Sequence, residues 1–468
     1  MNSKQTPSQS EGRGSSLAHT LPMKDRIAAG KAIRKNVPRT SHAEWAAPAD
    51  RPDPITVLQR SNRGRLPELL LIRYSRMKQS PFSFFRGAAA VMAWDLSRTP
   101  ATGLRVQACG DCHAANFGGF ASPERRLLFD INDFDETLPA PWEWDVKRLA
   151  ASIVLGLREV GSGDGQCRDV VLTMAQSYRA HMQKYARMRA LEVWYSHVDA
   201  DVFIKKAATI TAKKRWQHLE RQARKQTAEH ILPKITEVKH GRIRIADHPP
   251  LVYHPRGSDL IRKRVTEMFS RYRKTLPEER RIILDRYHLV DIARKVVGVG
   301  SVGTRCDVAL LLAEADDPLL LQFKEALPSV LEPYANKSRY TYHGERVVTG
   351  QRILQSASDV FLGWTRDDYG HDYYFRQLRD MKMKLDLSHM TKPDWFEYVD
   401  ICGWTLARAH ARTGDPARIA GYLGGSDKFD TALAKFAARY VEQTDRDYEA
   451  LLRAIRTGRL KVRSSERS

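Results

Sequence analysis

Helical periodicity runs through most of the chain, while short apolar runs of strand character gather in one part of it. Residues 66–77 keep Leu69, Leu70 and Ile72 within one apolar helix face, and 395–412 form a further strong helix. Asp53-Pro54 reads as a helix start, an N-capping side chain followed by proline at the first position, and predicts a helix to about residue 63. Ser80-Pro81 repeats the signal and predicts a helix to about residue 96. Helices are expected from 144 to about 225. Strand character appears at 104–107, 127–129 and 243–246. It then concentrates at 308–312, 319–324, 360–364 and 373–378, with a helix at 344–356 among them and a hinge near Arg379 after them. The pattern predicts an α+β protein with a small antiparallel sheet of about five strands and a larger helical part.

Composition narrows the class. The 468 residues are 42% hydrophobic and 28% charged, which suits a globular domain with a large core. No run of about 18 apolar residues exists, so no membrane-spanning helix is expected. The polar N-terminus lacks an apolar signal core, and the five cysteines make no disulfide framework, so a reducing cytoplasm is expected. The net charge of +22 is concentrated in basic helical stretches at 205–225 and 262–274. Interleaved Glu and Gln make these solvated helix faces, with no groove-docking motif, so no sequence-specific nucleic-acid binding is expected.

The candidate chemistry begins at Cys109-Gly110-Asp111-Cys112-His113-Ala114-Ala115-Asn116. Its G-D-x-H-x-x-N spacing resembles the catalytic loop of protein-kinase-like and aminoglycoside-kinase-like phosphotransferases. The resemblance implies that Asp111 faces the acceptor hydroxyl and that Asn116 holds a metal ion. An apolar strand then delivers Asp133-Phe134, which resembles the metal-binding Asp-Phe pair of kinases, with Asp130 and Asp135 flanking it. Asp145 lies where such proteins begin a helix that braces the loop. His113 is expected to be a hydrogen-bonded structural residue. Cys109-x-x-Cys112-His113 also matches a haem-attachment pattern and half of a zinc site, without the signal peptide or second Cys pair those need. Arg73, Arg76 and Arg86 suit phosphate binding or helix-surface salt bridges equally.

A second motif lies far downstream. Gly298, Gly300, Ser301 and Gly303 sit between strands, and the strand at 319–324 ends in Lys324. This resembles the Gly-rich turn that covers ATP phosphates in kinases and the lysine that reaches them. Glu345 is the expected partner of Lys324, with Glu325 and Gln351 as rivals. In kinases the Gly-rich sheet precedes the Asp loop, whereas here it follows. The resemblance therefore implies a circularly permuted, two-lobed kinase-like fold that uses ATP and Mg2+.

Nearly the whole sequence also resembles the bacterial domain-of-unknown-function family 2252, through stretches such as RYSRMKQSPFSFFRGAA, CGDCHAANFGGFASPERRLLFDINDFDETLPAPWEWDVKRLAAS, VGVGSVGTRC and LARAHART. The expected divisions are a disordered tail over 1–22, a helical lobe over 23–285, a sheet-rich nucleotide-binding lobe over 286–390, C-terminal helices over 391–458 and a basic tail over 459–468. The expected function is a phosphotransferase acting on a nucleotide and an unknown acceptor. The alternatives are a non-catalytic nucleotide-binding regulator and a metal-dependent hydrolase using the Asp cluster.

Overall fold

The computed structural model describes residues 21–463, apart from 208, 256, 315–316, 379–380 and 384. Nearly all of the expected N-terminal tail, the end of the basic tail and the hinge residue Arg379 lie outside the described residues. The fold is α+β with small antiparallel sheets. β1 (Arg105–Ala108) pairs with β4 (Leu138–Pro141), enclosing the hairpin of β2 (Phe117–Ala121) and β3 (Leu127–Ile131). β5 (Thr236–Lys239) and β6 (Arg242–Ile245) form another hairpin. The largest sheet contains β7 (Val252–Tyr253), β8 (His288–Lys295), β9 (Cys306–Leu312), β10 (Pro318–Glu325), β11 (Gly363–Arg366) and β12 (Asp372–Gln377). Its order is β11-β12-β10-β9-β8-β7.

Every residue of β9 and β10 is buried, because both sheet faces are covered. Ala309, Leu311, Leu321, Phe323 and Phe375 pack with Val265, Met268 and Tyr272 of the helix Ser258–Lys274. Their strand neighbours Val308, Leu310 and Leu320 face the other way, onto Ile245, Leu232 and Ile235. Residues 231–272, placed with the helices from the sequence, thus contribute to both faces of this sheet. β7 adds a sixth strand to the expected five. It was missed because two residues carry no period. Residues 360–362 are not strand: Phe361 and Leu362 are buried in the turn that precedes β11.

The larger core lies among the helices Trp142–Glu159, Asp164–Ala186, Lys392–Ala411 and Lys428–Arg456. Trp142 stacks on Tyr178 with ring centroids 5.7 Å apart. Gly30 lies inside a helix, Met23–Ile33. A Cβ on Gly30 would stand 2.0 Å from the Arg418 carbonyl oxygen, and one on Gly421 2.2 Å from that of Ile27. Two glycines let this helix lie directly on the backbone of Pro416–Leu423. The helix expected from Ser80 to residue 96 is interrupted at Ala88 (φ −112°, ψ 31°), giving Pro81–Gly87 and Ala89–Leu96. The Gly87 carbonyl is turned instead to the buried Arg73 guanidinium, at 2.6 Å. Among the described residues no helix is long and apolar enough to cross a membrane.

Candidate functional site

The loop after β1 is shaped from beneath. Gly110 adopts φ +83°, and a Cβ there would meet the Glu136 carbonyl oxygen at 2.3 Å, so only glycine fits. Asp145, in the first turn of the helix Trp142–Glu159, accepts from the backbone N–H groups of Cys109 (2.7 Å) and Gly110 (3.0 Å). Its Oδ2 also faces His410 Nε2 at 3.3 Å. Arg148, three residues on, holds Asp111 Oδ1 from Nε at 2.7 Å and from Nη2 at 2.5 Å, with its guanidinium 4.2 Å from the Phe85 ring centroid. Arg148 was not singled out from the sequence, although the spacing from Asp145 puts both on one helix face. Asn116 folds back, its Nδ2 donating to the Asp111 carbonyl at 2.8 Å.

His113 is corrected from its expected hydrogen-bonded role. The ring is 3% exposed, packs edge-on to Phe82, and leaves Nδ1 buried without a hydrogen-bond partner among the described residues. Burial lowers its pKa to about 3 despite nearby Asp111, so it is neutral. Cys109, Cys112 and Asp145 have potential ligand atoms within 4.8 Å of one another. The Asp145 oxygens are already engaged by backbone N–H groups, and burial pushes both thiols up, away from the thiolate that zinc requires.

The acidic segment follows β3. Burial and neighbouring Asp135 raise the Asp133 carboxyl, against the pull of Lys324 and Arg376. Asp135 behaves oppositely. Burial would raise it, but the Lys324 ammonium, the Tyr374 hydroxyl (2.8 Å) and Arg376 outweigh burial and hold it at about 2. Lys324 Nζ donates to both Asp135 Oδ2 and Ser301 Oγ, and Ser301 Oγ donates to Asp135 Oδ2 at 3.1 Å. Burial would lower the Lys324 pKa, but Asp135 and Tyr374 raise it.

The Lys324 partner is therefore Asp135, which corrects Glu345 and its rivals. Glu325, the next residue on β10, pairs instead with Arg305 at 3.0 Å. The face that helix His343–Leu354 turns toward Asp135 is taken by Arg346, which donates to the Asp135, Thr137 and Leu327 carbonyls. Gln351 bonds to Gln355 at 2.9 Å.

The Gly-rich segment forms a short turn at Val299–Ser301. A Cβ on Gly300 would lie 3.3 Å from the Arg86 carbonyl oxygen and 3.7 Å from Asp111 Oδ2, so this turn sits against the Asp loop. Gly298 borders the same space. Gly303 lies farther out, at φ +98° beside Arg65. Arg73 forms no surface salt bridge among the described residues. It is buried and donates to the Val299 and Gly300 carbonyls, both at 2.7 Å, while Arg76 donates to that of Val297.

A cavity of about 100 Å³ brings together Asp111, Asn116, Asp133, Gly298, Gly300, Ser301 and Lys324, with Arg86 and Arg376 beside them. Asp145 lies beneath it, and Glu345 and Gly303 are not in its wall. An adjoining groove of about 250 Å³ shares Asn116, Asp133 and Arg376 and adds Phe117, Gly119 and Met383. Gly119 and Met383 exchange backbone hydrogen bonds of 2.8 and 2.9 Å across it. The groove residues were missed because Met383 joins the hairpin only through this long-range pairing. The model of a family described as an uncharacterized protein conserved in bacteria (DUF2252) matches residues 65–454. The chain belongs to the DUF2252 family. No curated protein and no solved structure matches it. The DUF2252 match spans both the Asp111 loop and the Lys324 strand, so both halves of the cavity fall within one family region.

Proposed function

We propose that this DUF2252 protein is an ATP- and Mg2+-dependent phosphotransferase with a circularly permuted kinase-like fold. The observation that carries the reading is the cavity itself. Asp111, Asn116 and Asp133 share it with Lys324 and the Gly298–Ser301 turn, although their motifs run in the reverse of kinase order. Permutation is supported by where the helix Lys392–Ala411 ends. Thr413 Oγ1 just beyond it accepts from the Gln107 backbone N–H of β1 at 2.8 Å, so the helix stops beside the strand that it would precede in a kinase.

The donor set suits the reactants. Asp133 and the Asn116 side-chain carbonyl, which no described residue donates to, offer hard oxygen ligands. Bound Mg2+ would neutralise charge on the phosphates of the nucleotide. Arg376 and Lys324 supply cationic wall to the phosphate space, and the Phe117–Met383 groove offers an apolar slot next to it. Asp135 keeps Lys324 charged and oriented, the role first assigned to Glu345. With Oδ1 tied to Arg148, Asp111 presents Oδ2 to an acceptor hydroxyl. That oxygen takes the hydroxyl proton as the acceptor O–P bond forms and the bond to the leaving nucleoside diphosphate breaks.

The test is nucleotide titration with and without Mg2+, followed by mass spectrometry of products. Asp133→Asn is expected to weaken Mg2+-dependent ATP binding, whereas Asp111→Asn leaves binding largely intact and removes turnover. Equal loss of ATP affinity in both folded variants would contradict this division of roles. Full ATP binding with no transfer to any acceptor would favour the regulatory alternative.

A further inference from the structure

Beside the Asp111 cavity lies a pocket of about 490 Å³ that the reaction as described does not use. It is walled by the end of the helix Pro54–Ser61 and the turn after it, by Trp94 and Arg98, and by the segment 327–334. Through Arg65 and Glu136 it adjoins a narrow cavity of about 50 Å³ that reaches Asp111, Asp133 and Arg86.

Its charge is strongly one-sided. Within its wall Arg60, Arg63, Arg65 and Arg98 stand against Asp50 and Glu136, while Arg65 also feels Asp135 and Glu325 on its other side. Asp50 is already 3.5 Å from Arg98, and burial pushes the Glu136 carboxyl up to about 7, so it is only partly ionised at neutral pH. Arg60 is exposed and joins no ion pair or hydrogen bond through its side chain among the described residues. The junction to Asp111 places Arg65, Arg73 and Arg86 among the carboxylates Asp111, Asp133, Asp135, Glu136 and Glu325. Arg65 spends one N–H on the Val302 carbonyl at 2.7 Å, yet its Nε is buried without a partner, and so is that of Arg86. A buried N–H without an acceptor is costly, so such groups call for an acceptor supplied from outside the chain. The opposite wall is aromatic, with Trp94 beneath Arg98 (4.8 Å to the ring centroid) and the half-exposed Tyr334.

We propose that this pocket binds an anionic molecule with an apolar or ring-shaped body, its phosphate or carboxylate held by Arg60 and Arg65 and its body against Trp94 and Tyr334. Resting on the phosphotransferase reading above, that molecule is the acceptor, and its hydroxyl approaches Asp111 past Arg86. Arginine suits the task because its planar fork matches both anions in two-point contact.

Calorimetric titration of the full chain with phenyl phosphate, benzoate and phenol, each with and without saturating MgADP, tests this. Saturable binding of phenyl phosphate or benzoate is expected, and the tighter of the two identifies the anion. Phenol should bind at least about tenfold more weakly. Arg60→Ala and Tyr334→Ala, both at exposed positions, should each weaken the anion at least about threefold without changing MgADP affinity. Phenol binding as tightly as the anions, displacement of the anion by MgADP, unchanged affinity in both variants, or no saturable anion binding would each overturn the proposal. Failure of MgADP to bind while the Arg60 dependence persists would instead sink the phosphotransferase reading and leave an anion pocket standing.

Discussion

Asp145→Asn isolates what holds the Asp111 loop in place. The substitution keeps the side-chain volume and removes one acceptor and the charge. In the native protein each carboxylate oxygen takes one backbone N–H, from Cys109 at 2.7 Å and Gly110 at 3.0 Å, at a site 1% exposed. An amide can accept from only one of them and turns an N–H against the other. The loss is one charge-assisted hydrogen bond, about 1.5–3 kcal/mol, and the orphaned buried donor carries a desolvation cost of about 1–3 kcal/mol that partly overlaps with it. A destabilisation of about 2–4 kcal/mol is expected by denaturant unfolding. Exchange of the Cys109 and Gly110 amides should accelerate, and turnover should fall more than ATP affinity, because Asp111 moves while Asp133 does not. A stability change below about 1 kcal/mol with unchanged amide exchange would refute the bracing argument.

Glu136→Gln should stabilise the protein in a pH-dependent way. Burial raises this carboxyl from 4.5 to about 7 in the folded state, so the wild type loses stability as pH rises through that window, and the full penalty, about 3 kcal/mol, applies above it. The variant's advantage should appear in urea unfolding at pH 8 and shrink toward pH 5; equal advantage at both would be inconsistent with the burial argument. Gly110→Ala should cost at least about 2 kcal/mol, from a left-handed residue and a Cβ clash with the Glu136 carbonyl, and should abolish turnover. A fully active, equally stable alanine variant would show that the loop does not need that backbone.

Signals carried within a few residues were legible along the chain. Asp53 caps its helix through Thr56 N at 3.1 Å, and Ser80 through Ser83 N at 3.1 Å, as their dipeptides with proline indicate. The strand at 127–129 and the strands around Lys324 followed from the same short-range logic, because two-residue alternation is a property of the local backbone. Asp111, Asn116 and Asp133 could be singled out because their spacing is itself local. Partner choice was not legible. Lys324 meets Asp135, 189 residues away, because β10 lies in register with β12 so that Lys324 faces Tyr374, whose hydroxyl bonds the same carboxylate. The helix that carries Glu345, much nearer in sequence, instead presents Arg346 to the Asp135 and Thr137 carbonyls. Arg73 suited phosphate binding and a helix-surface salt bridge equally in the sequence, and the fold buries it against the Val299 and Gly300 carbonyls. The sequence by itself determined most of the helices and strands, but not strand β7, the break at Ala88 or the turn at 360–362. Which charge neutralises which was decided only by the tertiary structure, since a buried ion or hydrogen bond selects its partner by distance in space and by exclusion of water.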